Sequence, residues 1–488
     1  PLPPSQPPLR RIIFRHTTSP PPQQVKSYSY DLRTMTTTGR LSHLRFSALF
    51  QPIDGAFAAF FRIVFGLVMF VDIALHLGGG AVEHIWAAPR IHFKYYGFEW
   101  VQTLAGQGMH LLFAVLGVLS ICVALGFCYR LTSTLLFLGF TYTFLAEKAA
   151  YQNHFYLLCL ISFFMIWIPA HRTFSIDSWR GWVKSDGTVP VWTLWLLRGQ
   201  IAIVYFFGGL AKLNYDWLHG EPMRLWLAAY GDYWLIGPYV REEWLVAFFI
   251  FGGLGLDLFI APLLLWSRTR FGAFAVSLTF HLLNNWIFRI GIFPWFMIGA
   301  TPLFLPPDWP RRALARWRGQ TFTPPITTTA PKKITSRQLV ATMLLASYAI
   351  IQLLAPLRHM LYPGDPSWTE QGHRFAWRMM LRDKRVDAQF TLRDPRSKID
   401  WPVRLDRYLV PWQRKVIVND PDMVLQFCHY LKEEKNRQGF PDYEVYAQIS
   451  TSLNGRRPQL MLDPTVDLAS QSRTLLPAPW IKPLQTQL

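Results

Sequence analysis

Nine apolar segments constrain this chain more than any other feature. They lie near 57–78, 109–127, 131–147, 153–169, 192–212, 244–266, 271–288, 289–305 and 338–356. A run of about 20 apolar residues crosses a bilayer as a helix, because hydrocarbon offers backbone N–H and C=O groups no partner and a helix satisfies them within one segment. Several of the nine are shorter than that, so tilted or paired short helices are expected. Composition agrees: only 16% of the 488 residues are charged and 51% are hydrophobic, whereas soluble domains carry about a quarter charged residues. An ordinary cytosolic enzyme is disfavoured.

Lys and Arg number 49 against 30 Asp and Glu, a formal charge of +19. Such an excess suits nucleic acid, anionic lipid or an acidic substrate, and its placement separates them. Cytoplasmic loops are rich in Lys and Arg. The N-terminal tail carries Arg33, Arg40 and Arg45, and the loop after the eighth segment carries Arg311, Arg312, Arg316, Arg318, Lys332, Lys333 and Arg337 against Asp308. Residues 213–243 carry Asp216, Glu221, Asp232, Glu242 and Glu243 against Arg224 and Arg241. The pattern predicts a cytoplasmic N-terminus and an extracytoplasmic region after 357. The expected fold is therefore a polytopic α-helical membrane protein of about nine transmembrane helices with a C-terminal extracytoplasmic α+β domain. Its parts are a disordered, basic and Pro-rich tail over 1–50, a helical domain over 51–356 and the external domain over 357–488.

Within the tail, PLPPSQPP and SPPPQQ cannot bury enough apolar surface to fold. Either Met35 is the start and the preceding stretch an over-extended reading frame, or that stretch is a basic organellar targeting peptide. In the external region, Tyr443–Leu453 and Arg456–Asp463 alternate about Asn454-Gly455, a hairpin signal. Residues 420–437 read as an amphipathic helix with Asp420 as N-cap, Pro421 at its first position and Gly439 just past its end. Cys122, Cys128, Cys159 and Cys428 have no paired short spacing, so neither a zinc site nor a disulfide framework is expected.

Ionisable groups inside a membrane are costly and mark candidate sites. Lys212 ends the fifth segment, with Tyr205 two turns earlier on the same helical face. It is either a snorkelling lysine that complements the helix dipole, or a partly desolvated amine able to act as a general base. His154, beside Asn153, opens the fourth segment, and His281 lies in the outer half of the seventh, ahead of Asn284 and Asn285. The topology brings Lys212, His154 and Asn153, and more loosely His281, to a similar depth under the external face. Aromatic residues at that level, among them Trp86, Tyr95, Trp217, Trp226 and Trp234, suit an interfacial belt as well as a flat, lipid-soluble ligand such as a quinone. Arg374, Arg378, Arg382, Lys384, Arg385, Arg456 and Arg457 make the external region basic, for contact with lipid headgroups or for capture of an acidic peptide. That region is on the wrong side for nucleic acid and has no recognition motif.

Several words of the sequence resemble vitamin K-dependent gamma-glutamyl carboxylase: GFCYRLTS at 126–133, QNHFYL at 152–157, LRGQIAIVYF at 197–206, PLFLPPDWPR at 302–311 and MLDPTVDL at 461–468. The likeness runs over about residues 45–488. It implies an integral membrane enzyme, of the bacterial inner membrane or the endoplasmic reticulum, that converts glutamate in a secreted peptide or protein to gamma-carboxyglutamate. The implied cofactor is reduced vitamin K, a phylloquinol or menaquinol that leaves as the epoxide, with CO2 and O2 as co-substrates and no metal. The family's catalytic lysine corresponds to Lys212, which would deprotonate the hydroquinone. Asn153 and His154 match its Asn-His pair near the quinone, Tyr205 its tyrosine on the lysine-bearing span and His281 a histidine on a neighbouring span. His154 is thereby a candidate for catalysis as well as for cofactor binding, and Trp368, Trp377 and Arg378 are candidates for substrate binding.

Departures from the family pattern are specific. Where the family has a tyrosine-rich stretch leading to Trp-Asp-Met-Met, this chain has His373, Phe375 and Trp377-Arg378-Met379-Met380. Residues 83–96 lack the cysteine that tethers this loop in the animal enzymes, so packing alone is expected to hold it. The end at Leu488, before that of the animal enzymes, fits a bacterial or otherwise compact homologue. Two further functions stay open on sequence: a menaquinol oxygenase or redox protein that carboxylates no peptide, and a non-catalytic membrane component for binding or export.

Overall fold

All nine apolar segments fold as helices in the computed structural model, which describes residues 46–184, 186–233, 236–288, 290–322, 334–485 and 488. They are α1 (Ala56–Gly78), α2 (Gly108–Leu125), α3 (Tyr129–Ala146), α4 (Asn153–Trp167), α5 (Val191–Lys212), α6 (Glu243–Leu265), α7 (Arg270–Phe288), α8 (Phe293–Ala300) and α9 (Ser336–Leu354). Six are long and apolar enough to cross a membrane: α1, α2, α5, α6, α7 and α9, the last continued by a 3₁₀ turn to Leu361. The apolar stretches Asn153–Trp167 and Phe293–Phe304 are shorter. In α3, Ser133 and Thr134 bond carbonyls four residues back, at 2.6 and 2.7 Å, so their hydroxyls are satisfied within the helix. Of the tail expected over 1–50, residues 1–45 lie outside the described residues, and Phe46–Phe50 form a 3₁₀ turn.

Helix ends gather in two sets. At one end, the fully buried guanidinium of Arg62 on α1 donates to the carbonyls of Ala124, Ala170 and Phe174, collecting acceptors from the end of α2 and the connection after α4. There Asp177 accepts from the N–H groups of Cys128 and Tyr129 at 2.8 and 2.9 Å and caps α3. The strands β1 (Pro52–Asp54) and β2 (Thr188–Pro190) pair at this end, and Arg311 reaches Asp54 at 2.9 Å. The C-terminal region packs on the other end, and residues 46–488 form one compact unit.

That region is an antiparallel sheet in the order β4-β3-β5-β6. Ten residues of β3 (Lys384–Arg393) pair with ten of β5 (Glu444–Leu453), flanked by β4 (Asp400–Pro402) and β6 (Gln459–Leu460). The alternate residues Val445, Ala447, Ile449 and Leu453 of β5 are buried against Met423, Val424, Phe427 and Leu431 of α10 (Pro421–Arg437). The helix starts and stops where its signals lie: Asp420 accepts from the N–H groups of Asp422 and Met423, and Gly439 takes the left-handed φ of +85°. The hairpin turns at Asn454 and Gly455, with φ of 51° and 82°. Its second strand is shorter than the expected Arg456–Asp463, because the Arg456 side chain engages Asp216 and Pro458 has no N–H to give a ladder.

The free cysteines include all four in the chain. Packing alone does not hold the 83–96 loop: Trp412 donates to the His84 carbonyl at 2.8 Å, Gln413 to that of Ile91 at 2.8 Å and Arg473 to that of Lys94 at 2.6 Å. Gln426 also bonds both backbone groups of Lys94. Asp420 ties α10 inward, paired with Arg374 and, at 3.6 Å, with Lys148. Burial by itself would raise this carboxyl, but Arg374, Lys148 and the hydrogen bonds more than offset it and hold Asp420 below the usual carboxylate range. A carboxyl lower in the folded than in the unfolded state adds stability above the unfolded value of about 3.9, and that stability is lost as pH falls through the folded value. Asp420→Asn keeps a good N-cap but removes the charge. It is expected to unfold at lower temperature than wild type at neutral pH, to begin converging with it only below about pH 4 and to meet it as pH falls through the lower folded-state value, as thermal unfolding across pH will read.

Candidate functional site

Tyr205, Gly208 and Lys212 share one face of α5 through the 3.6-residue period. A Cβ on Gly209 would stand 3.0 Å from the backbone N of Leu258 and 2.8 Å from its side chain, so glycine there lets α5 close on α6. The approach sets Nζ of Lys212 2.6 Å from Oδ2 of Asp257. Nζ also donates to the Gly208 carbonyl at 3.3 Å and lies 5.3 Å from the centroid of the Trp217 ring. Lys212 and Asp257 are each 7% exposed, so this lysine is buried and paired and does not snorkel. Asp257 was not singled out from sequence, although it is the lone charge in the apolar run 244–266, a signal that intramembrane cost makes meaningful.

A cavity of about 540 Å³ joins this pair to the C-terminal region. Lys212, Tyr205, Asn153, His154 and His281 all line it, on three different helices, and so do Asp257 and Arg378. Nε2 of His281 is 2.6 Å from the Tyr205 hydroxyl, which also lies 3.3 Å from that of Ser277. Nδ1 of His281 is buried with no partner among the described residues. The His154 ring packs edge-on to Phe155 at 4.5 Å and lies 6.1 Å from that of Phe293. Asn153 accepts from the Tyr151 hydroxyl at 2.9 Å and donates to the Arg378 carbonyl at 3.2 Å, which ties α4 to the roof of the cavity.

That roof is the segment 370–382. Glu370, Phe375, Trp377 and Met380 have φ of 59°, 60°, 56° and 54°, a left-handed conformation that costs of order 1 kcal/mol or more for each residue with a Cβ. The coiling turns His373, Arg374, Arg378 and Arg382 to the cavity wall. Glu370 accepts from Arg382 at 2.7 Å and Lys384 at 2.6 Å. Arg382 also meets Nε2 of His373. A guanidinium only donates, so that nitrogen accepts and the ring is neutral. Burial, reinforced by Arg382, Arg378, Arg374 and Lys384, keeps His373 well below its usual range. Arg378 is 7% exposed. It donates to the Ser367 hydroxyl at 3.3 Å, its Nε has no partner, and no carboxylate among the described residues pairs with it. Trp368 and Trp377 do not line the cavity. Trp368 is fully buried and donates to the Lys482 carbonyl at 2.7 Å, while Trp377 stacks on Tyr156 at 5.0 Å, so both pack behind the roof.

The lower walls, which include Val204, Phe280, Phe288 and Phe293, suit a flat, mostly apolar molecule. Lys212, His281 and His154 supply polar side chains for oxygens at its edges. Above them, Arg378 can take an anion by two parallel hydrogen bonds. Among the described residues, no group of three His, Cys, Asp or Glu side chains is placed to hold a metal.

Two family models match the chain. The HTTM domain matches residues 50–309, and the lumenal domain of vitamin K-dependent gamma-carboxylase matches residues 337–487. No solved structure matches it. The cavity takes its walls from both matched regions.

Proposed function

Because this chain belongs to the vitamin K-dependent gamma-carboxylase family, we propose that it carboxylates glutamate side chains of a secreted peptide, using vitamin K hydroquinone, O2 and CO2, with epoxidation of the vitamin. One observation carries the reading: Lys212, Asn153, His154 and His281, from three helices, line a single cavity together with Arg378, which no carboxylate among the described residues pairs with. The hydroquinone, once ionised and oxidised by O2, supplies a base strong enough to take a proton from the glutamate γ carbon, which CO2 then traps. Lys212 removes the hydroquinone's hydroxyl proton. His281, fixed by Tyr205, and the Asn153-His154 pair hold the oxygens at the ring edges. Arg378 would hold the glutamate carboxylate, and Trp368 and Trp377 keep the roof segment in place. The apolar lower walls strengthen the hydrogen bonds formed against them.

In this reading α1 to α9 are nine crossings, the N-terminus is cytoplasmic and the peptide arrives from the extracytoplasmic side, where 357–488 forms the recognition domain above a catalytic domain of 51–356. Arg378, standing where the family has aspartate, adds positive charge for an acidic peptide. The full chain in lipid nanodiscs is expected to fix labelled bicarbonate into a Glu-rich peptide only with reduced vitamin K and oxygen. Absence of incorporation across several quinols and peptides overturns the proposal. Epoxide formed without incorporation reassigns the protein as a quinol oxygenase.

A further inference from the structure

An ammonium has no lone pair and takes up no proton until it has released one. In the buried site of Lys212 the acceptor within reach is Oδ2 of Asp257, at 2.6 Å. No other carboxylate among the described residues pairs with Nζ, and no other cation pairs with Asp257. Both side chains line the cavity, so a ring hydroxyl beside Nζ stands one relay from the carboxylate. Resting on the hydroquinone reading of the cavity, we propose that Asp257 is the terminal acceptor of the proton that Lys212 removes.

The step balances without a further reactant. Nζ forms a bond to the hydroxyl proton as the ring O–H breaks, and it passes one of its own protons to Oδ2. Lys212 ends as an ammonium beside the ring oxyanion, and Asp257 ends as a neutral acid. The negative charge has moved from carboxylate to ring while the cation stays between them, so no net charge is created in a site of low dielectric.

The alternative, in which Lys212 alone is the base, predicts the opposite response to one substitution. Asp257→Asn removes the acceptor and also the anion that favours the charged amine. A lone amine would then work as well as before or better, whereas a relay would stop. With the full chain in nanodiscs, Asp257→Asn is expected to lose at least about 100-fold of its peptide carboxylation while still binding vitamin K quinone, and Asp257→Glu to stay within about 10-fold of wild type. A second readout needs no turnover. Adding the hydroquinone without oxygen should raise a protonated-carboxyl C=O band in the infrared difference spectrum of wild type, shifted by ¹³C-aspartate labelling and missing from Asp257→Asn. Asp257→Asn within about threefold of wild type, or no such band in wild type, overturns the proposal. An active Lys212→Ala would mean that Lys212 is not the base and that the relay fails with it, whereas no incorporation by wild type would mean that the carboxylase reading itself has failed. An inactive Lys212→Ala beside an active Asp257→Asn sinks the relay alone.

Discussion

Lys212→Ala is expected to lower peptide carboxylation by about 10²- to 10⁴-fold, the usual worth of a positioned base, while vitamin K quinone still binds. The apolar walls at Val204, Phe280 and Phe293 do not depend on the amine, so binding and chemistry should separate. The variant carries a second cost. Removing Lys212 leaves Asp257 buried without its cation, and breaking a buried pair from one side destabilises by about 3–5 kcal/mol. The double variant Lys212→Met with Asp257→Asn removes both charges together and is expected to melt close to wild type while being as inactive as the alanine variant. If that well-folded double variant keeps more than about a tenth of wild-type activity, neither residue handles the proton.

The second large effect is expected at a residue that does not itself line the cavity. Arg456, just past the hairpin turn of the C-terminal sheet, grips both oxygens of Asp216 at 2.6 Å, and Asn454 in that turn donates to the same carboxylate at 2.7 Å. Asp216 stands four residues beyond Lys212, in the short helix that follows α5. Arg456→Ala strands a buried carboxylate and should cost about 3–5 kcal/mol. Because it frees the segment that ends the lysine-bearing helix, it should also lower activity without touching the cavity. Asp216→Asn with Arg456→Gln, which leaves no unpaired charge, should recover most of the thermal stability. An Arg456→Ala protein that melts within about 1 kcal/mol of wild type would mean that the pair contributes no more than an exposed one.

Local signals in the sequence carried much of the fold. The Asp420-Pro421 start and Gly439 stop of α10 act over a few residues, so each is readable without the rest of the chain. All nine apolar runs hold helices, and six of these are long and apolar enough to cross a membrane, where a helix satisfies the backbone within one segment. Lys212, His154, Asn153 and, more loosely, His281 were expected at a similar depth, and they line one cavity together with Tyr205. The second hairpin strand was over-read because alternation alone does not reveal where Arg456 finds its partner.

Residue types, helix periods and caps were thus determined by the sequence itself, since they depend on neighbours a few positions away. The tertiary structure alone decided which carboxylate meets which cation. Asp257 is 45 residues from Lys212 and Asp216 is 240 from Arg456, and only the close approach of α5 to α6 and the docking of the sheet bring them within 2.6 Å. It also decided that Arg378 faces the cavity while Trp368 and Trp377 lie behind it, because a left-handed turn at each of several residues re-aims every side chain that follows. Pairing energies in a dry interior depend on distance and on what else is excluded, and neither quantity is written in the order of the residues.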